Sequence, residues 1–283
     1  MWNVKLCLGT SDEFDCSVEE QIRLFHKIGF DAFFTDWFPQ ADLAGWRALA
    51  DQLGMEYQSV HAPFGRAADL WKTGEEAQAA VDELIACLRD CAKYSIPIMV
   101  MHAFIGFEDH TPTQAGIENF QKVAEEANKL EVKIALENTE GEEYLAALLE
   151  CSKGDPCVGF CLDTGHEMCY NHSQDLLALY GDRLIGTHIN DNLGIRDFGG
   201  EITWRDDLHL LPFDGIGNWE GLARRLARHG YEGCLTFELC KKSKPDRHEN
   251  DGYDRMPLEE YLTEAYKRAC RVAAFYCQEI RQG

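Results

Sequence analysis

The stretch VGFCLDTGH, Val158–His166, decides how the chain is read. Side chains of a β-strand alternate between two faces, so Val158, Phe160 and Leu162 share one side while Gly159, Cys161 and Asp163 share the other. A strand with large apolar residues on one face and small ones ending in a carboxylate on the other suits a closed parallel barrel, with the carboxylate at its C-terminal rim. Working outward, VKIALEN (Val132–Asn138) puts Ile134 and Leu136 on one side and Glu137 on the other. In LIGTHIN (Leu184–Asn190), Ile185 and Ile189 read outward, with Gly186 and His188 inward. In CLTFEL (Cys234–Leu239), Leu235 and Phe237 face out, with Thr236 and Glu238 inward. Four consecutive strands thus aim Glu137, Asp163, His188 and Glu238 inward near their C-terminal ends.

The same reading extends along the chain. Strands are expected at Val4–Thr10, Ala32–Asp36, Tyr57–Ala62 and Ile98–Phe104 besides the four above, and amphipathic helices at Val18–Ile28, Leu43–Leu53, Glu75–Tyr94, Thr113–Leu130, Glu142–Glu150, Gln174–Leu179, Trp219–His229 and Leu258–Arg281. Ser17 with Glu20 makes a capping box, and Gly29, Gly54 and Gly230 sit at helix ends. No linker or repeat breaks the alternation, so residues 1–283 are expected to form a single (β/α)₈ barrel, an α/β fold. The two long connections, Asp191–Asn218 and Lys241–Pro257, follow the seventh and eighth strands and overhang the same face.

With 49 acidic against 27 basic residues the formal charge is −22, which argues against nucleic acid and anionic membranes as partners. The 12 cysteines are scattered with no CxxC pair and read as reduced thiols, Cys87 and Cys91 as helix-packing residues. There is no apolar run long enough for a membrane span and no leader pattern, so a cytoplasmic protein is expected.

Buried charges need a partner or a metal, and three carboxylates meeting one imidazole repel each other unless a cation joins them. The expected cofactor is therefore a divalent metal ion at Glu137, Asp163, His188 and Glu238. Oxygen-rich ligation favours Mn²⁺, with Mg²⁺, Zn²⁺, Co²⁺ or Fe²⁺ as alternatives. His61 in SVHAP, His102 in MVMHAF, His166 in LDTGH, and Asp207 with His209 in DLH could form a second metal position or touch substrate, and Arg205 could grip a substrate hydroxyl or carboxylate. Trp37, Phe38, Phe64, Phe104, Phe107 and Trp204 are candidate pocket walls. Lys241, Lys242 and Lys244 read as a solvated basic loop.

With SVHAPFG, MHAF, IALEN, CLDTGH, GTHINDN, DLHLLPFDGIGNW and LTFEL in place, the chain resembles the xylose isomerase-like barrels over nearly its whole length. That group spans sugar phosphate isomerases/epimerases, ketose 3-epimerases, inosose-processing enzymes and endonuclease IV. The resemblance implies a metal held by Glu137, Asp163, His188 and Glu238, a small carbohydrate substrate and a homo-oligomer. It departs from the usual PGxG, which here reads PFDGIG with Phe213 and Asp214 inserted. Endonuclease IV-type members use a fuller set for three zinc ions, and His61, His102, Glu137, Asp163, His166, His188, Asp207, His209 and Glu238 match it. The acidic charge, and the lack of Arg/Lys clusters after the first three strands, weigh against DNA.

The expectation is a sugar or sugar phosphate isomerase/epimerase working through an enediolate, with Glu137 and Glu238 as acid/base pair. The alternatives are an endonuclease IV-type AP endonuclease, an inosose dehydratase-like lyase, and a barrel that binds without turnover, against which the acid/base pair speaks.

Overall fold

Eight short parallel strands form the centre of the protein in the computed structural model, which describes residues 4–108, 111–195 and 201–281. They are β1 Leu6–Gly9, β2 Ala32–Asp36, β3 Glu56–His61, β4 Ile98–His102, β5 Lys133–Glu137, β6 Val158–Asp163, β7 Leu184–His188 and β8 Leu235–Phe237. Helices α1 Val18–Ile28, α2 Leu43–Leu53, α3 Glu75–Lys93, α4 Gln114–Leu130, α5 Glu142–Cys151, α6 Thr164–Met168, α7 Leu176–Tyr180, α8 Trp219–Arg228, α9 Asp251–Asp254 and α10 Leu258–Glu279 connect or follow them. Every expected strand and helix is found within a few residues, and the short helices α6 and α9 are additions that the periodicity did not announce. Several strands stop earlier than their apolar runs suggest, because the chain peels away to build the mouth.

Each strand pairs with its sequence neighbour, and β1 also pairs with β8, giving the order β7-β6-β5-β4-β3-β2-β1-β8. The ring nearly closes between β7 and β8, where one parallel bridge joins Ile189 to Phe237. Thr187 reinforces this seam, its hydroxyl accepting from the Thr236 N–H at 3.1 Å and facing the Cys234 carbonyl at 3.2 Å. The barrel lumen is filled by small patches, Cys7/Ala32/Phe34/Cys234 and Val100/Ala135/Cys161.

One expected parity is overturned. Ile185 packs against the luminal patch, because the β6–β7 register shifts between Phe160 and Cys161 and leaves Ile185 as an extra residue over Gly159. Alternation resumes after this bulge, so Gly186 and His188 face inward as read.

Helix ends follow local chemistry. Ser17 and Glu20 complete the capping box, and the Asp163 side chain accepts the His166 N–H, starting α6 directly from the strand end. The apolar stripe of α10, with Leu262, Ala265, Ala269 and Val272 buried, packs on its own barrel. All 12 cysteines are free thiols. Among the described residues no helix is long and apolar enough to cross a membrane.

Candidate active site

Moving up the lumen from the apolar patches, one inward position per strand carries a polar group: Asp36 on β2, His61 on β3, His102 on β4, Glu137 on β5, Asp163 on β6, His188 on β7 and Glu238 just past β8. Only β1 differs, ending in Gly9, where an added Cβ would meet the Phe34 ring at 2.5 Å. Phe34 in turn stacks on the His188 imidazole, centroids 4.8 Å apart.

Glu137 is wholly buried and lies at the hub. Its Oε1 is 3.0 Å from His188 Nδ1, and its Oε2 is 3.1 Å from His61 Nε2 and 3.5 Å from His102 Nε2. His188 Nδ1 is also 3.0 Å from Glu238 Oε2, so this imidazole stands between the two glutamates. Asp163 Oδ1 accepts the His166 N–H at 2.6 Å, and Asn190 donates to its Oδ2 at 2.8 Å. His209 Nε2 lies 2.8 Å from Asp207 Oδ2, and His166 Nε2 3.5 Å from the same oxygen.

Nine of the expected site residues therefore converge in three groups, Glu137/Asp163/His188/Glu238, His61/His102/Glu137 and His166/Asp207/His209, each with its ligand atoms within 4.8 Å of one another. Arg205 does not join them. It sits in the short 3₁₀ turn Trp204–Asp206, faces Asp246 at 3.3 Å and lies against the Trp204 ring.

The groups suit a divalent cation. Among the described residues, His188 Nε2, His102 Nδ1 and Asp207 Oδ1 are buried without a hydrogen-bond partner, an arrangement polar atoms rarely keep unless something coordinates them. The ion-free electrostatics point the same way. Burial opposes the charged form of Glu137, yet the surrounding histidines, His188 foremost, hold it well below the usual carboxylate range. Glu238 likewise overcomes burial through His188 and falls to about 2. His209 rises to about 9 and His166 goes well up, both against burial, the first through Asp207 and the second through Asp163 and Asp207. For Asp163 burial prevails over its histidines, and it rises to about 6. Protons on these imidazoles thus provide the balancing charge that a metal ion would otherwise supply.

Above the groups opens a cavity of about 210 Å³ bounded by Gly9–Asp12, Asp36, Phe64, His102, His166, Asp207, Glu238 and Lys244, among others. Glu238 reaches it; Glu137 lies beneath its floor. A larger groove of about 480 Å³ runs outside the barrel between α6 and α8.

Of the expected walls, Phe64 lines the cavity and stacks on His102. Trp37 instead donates to Asp90, Phe104 stacks on Tyr144, and Phe38 packs near Trp46. Phe107 lies near Tyr170, and Trp204 is half exposed; neither lines the cavity. The basic loop is not uniformly solvated. Lys241 is buried, its ammonium on the Asp254 carbonyl, and Lys244 turns inward to within 4.0 Å of Asp207.

The connection after β7 owes its shape to Asp191, which the sequence reading passed over. This buried carboxylate accepts the N–H groups of Asn192, Phe213 and Gly217, each at 2.9 Å. Its backbone pairs in both directions with Leu210. Gly215 comes so close that a Cβ would lie 2.2 Å from the Asp191 carboxylate. The Phe213 insertion is accommodated at φ 77°, its ring over Trp219 and under Arg271. His209 is held at φ 46°, a strained setting for a histidine and common where function fixes the backbone.

An eight-stranded parallel barrel with nested His/Glu/Asp groups at its C-terminal mouth defines the class. The chain belongs to the xylose isomerase-like TIM barrel family, whose model matches residues 22–265. It is 27% identical over 307 aligned positions to the uncharacterised protein y4fM of Sinorhizobium fredii, an alignment that covers 90% of this chain and 93% of that one. Among solved structures it superposes on the IolI protein with a bound zinc atom, with a TM-score of 0.75, 16% identity and coverage of 96% of this chain and 99% of that one. It also superposes on D-psicose 3-epimerase with D-tagatose from Clostridium cellulolyticum H10, with a TM-score of 0.70, 16% identity and coverage of 95% and 99%. At such identities these likenesses concern the fold.

Proposed function

We propose that this protein is a divalent-metal-dependent isomerase or epimerase of a small carbohydrate, with Glu137, Asp163, His188 and Glu238 as the ligands. The observation that carries the reading is the pair of glutamates on either side of His188, one buried and one open to an enclosed polar cavity. A zinc-bound IolI and a 3-epimerase with bound ketose share the fold, and both support it. Mn²⁺ is the ion an oxygen-rich set favours, and among the alternatives the zinc-bound IolI likeness supports Zn²⁺. A bound divalent ion would act as a Lewis acid on the substrate carbonyl and its neighbouring hydroxyl.

The protein's own residues handle the proton. Glu238, at the cavity wall, takes the proton from the carbon beside the carbonyl, and His188 keeps its carboxylate in the ionised form that can accept one. Glu137 acts from below as its partner: Glu238 passes its proton to His188 Nδ1, which stands 3.0 Å from both carboxylates and hands one to Glu137, and its return to the other face inverts the carbon. His188 keeps both carboxylates at fixed distance, and His61 and His102 orient Glu137. Phe64 and the Gly9–Asp12 turn restrict water.

A second reading, multi-metal phosphoester hydrolysis of the endonuclease IV kind, is favoured by the two further groups around His61/His102 and His166/Asp207/His209. The small cavity, bordered by Asp12 and Asp36, and the charge of −22 oppose a nucleic-acid substrate.

The test is metal analysis of the purified protein, followed by proton–deuterium exchange in D₂O with a panel of ketoses, aldoses and inososes. One ion per chain with exchange at a single carbon supports the proposal, and loss of water from an inosose would redirect it to a lyase. Three zinc ions with no exchange and cleavage of abasic-site DNA would overturn it.

A further inference from the structure

The inward layer of polar residues contains one member that none of the three groups uses. Asp36, at the end of β2, shares its face with Ala32 and Phe34 of the lumen and lies in register with His61 of β3. Its carboxylate forms no hydrogen bond or ion pair among the described residues, in contrast to Glu137, Asp163, Asp207 and Glu238. It lines the cavity and stays open to it, while the surrounding protein is dense enough that burial pushes its pKa up.

Two strands away, Glu238 just past β8 lines the same cavity. Between the two stands β1, the one strand whose inward residue at this level is a glycine. Gly9 leaves a shallow trough floored by the Phe34 ring, and its place cannot be filled, since a Cβ there would collide with that ring. Two strand spacings, roughly 9–10 Å, separate the strands that bear Glu238 and Asp36, the length of an extended sugar chain. A carboxylate without a protein partner offers two acceptor oxygens, the complement of a vicinal diol. It also repels phosphate and carboxylate groups.

We propose that Asp36 is a specificity-determining residue that grips the hydroxyls of an uncharged sugar at the end remote from the reacting carbon, the chain lying across Gly9 and Phe34 from Glu238. The substrate is then a free polyhydroxylated sugar, and its phosphorylated counterpart is excluded on this side. This rests on the isomerase/epimerase reading and deepens it. Asp36 does not touch the reacting atoms, so its contribution is to binding, equal in ground and transition states.

The experiment pairs Asp36→Ala and Asp36→Asn with wild type in three measurements: metal content, calorimetric binding of xylitol and sorbitol, which lack a carbonyl and are not turned over, and KM and kcat on whichever sugar exchanges. The expected result is unchanged metal content in both variants. Xylitol or sorbitol binding weakens at least about tenfold in Asp36→Ala and less in Asp36→Asn, which keeps one acceptor oxygen. KM rises by the same factor, and kcat stays within about threefold.

Wild-type exchange with unchanged KM and polyol affinity in Asp36→Ala overturns the role of Asp36 and leaves the isomerase reading standing. So does a sugar phosphate that outcompetes its free sugar. Wild type that exchanges no sugar removes the underlying reading and this proposal with it. A loss of metal in both variants would mean that Asp36 acts as a ligand, which also overturns it.

Discussion

Replacing Asp191 should release the connection that brings Asp207 and His209 into the site. Its carboxylate is fully buried and accepts three backbone N–H groups, from Asn192, Phe213 and Gly217. Asp191→Ala strands these donors at a cost of about 1–3 kcal/mol each when they stay dry. Phe213 and Gly217 lie where water can enter as the loop relaxes, so the lower half of the range applies and the sum is about 4 kcal/mol. For a chain of this size, that is a fall in melting temperature of roughly 10 °C. Asp191→Asn keeps the shape and one acceptor oxygen, but turns an amide N–H₂ toward a backbone donor, so about half the loss is expected. The assay is thermal unfolding by circular dichroism together with amide hydrogen exchange, in which the Phe213 and Gly217 amides should lose protection before the barrel strands do. If Asp191→Ala melts within about 2 °C of wild type with those amides still protected, the carboxylate is not what holds the loop, and the reasoning fails.

Other outcomes follow from the same contacts. His209 rises from 6.5 to about 9 in the ion-free protein, so its pairing contributes stability that is complete below pH 6.5 and lost as the pH climbs through about 9; melts of chelator-treated protein should fall across that window, and a flat profile would refute the pairing with Asp207. Because metal and proton compete for the same imidazoles, ion binding should release protons, measurable by calorimetry in buffers of different ionisation heat. His188→Ala should lower metal content at the glutamate pair, and unchanged stoichiometry would remove His188 from the ligands. Arg225 grips the buried Glu167 through two bonds of 2.8 and 2.7 Å, so Arg225→Ala should cost about 2–3 kcal/mol in urea unfolding, a figure reduced because Arg225 is partly exposed.

The barrel was legible because parallel strands buried on both faces leave an apolar run of fixed parity, and β5, β6 and β8 keep that parity to the end. Ile185 was misread because a bulge adds a residue that no composition signal announces. Asp36 escaped notice for a related reason. In AFFTD both faces of β2 are aromatic or small, so period two gives no contrast, and the carboxylate that ends the expected strand Ala32–Asp36 was not singled out as inward. It could have been found by numbering inward positions from Phe34. Arg205 drew attention as a sequence neighbour of Asp207, but a 3₁₀ turn capped by Thr203 rotates it outward. Asp191 was invisible because two of its three partners lie more than twenty residues downstream and all are backbone groups, which carry no side-chain signature. Lys244 could not be told from Lys242 without knowing that Glu13 pins this loop by accepting the Lys241 and Lys242 N–H groups.

The incomplete join between β7 and β8 gives the candidate metal centre a mechanical role. His188 belongs to one side of that join and Glu238 to the other, and a single bridge at their level, with one threonine hydroxyl, is what links the two strands. An ion held by both residues is then a clasp across the weakest line of the barrel wall, fastened at its upper edge. Removal of such an ion should therefore loosen the β7–β8 seam before the other strand pairs, which amide hydrogen exchange at Ile189 and Glu238 would show.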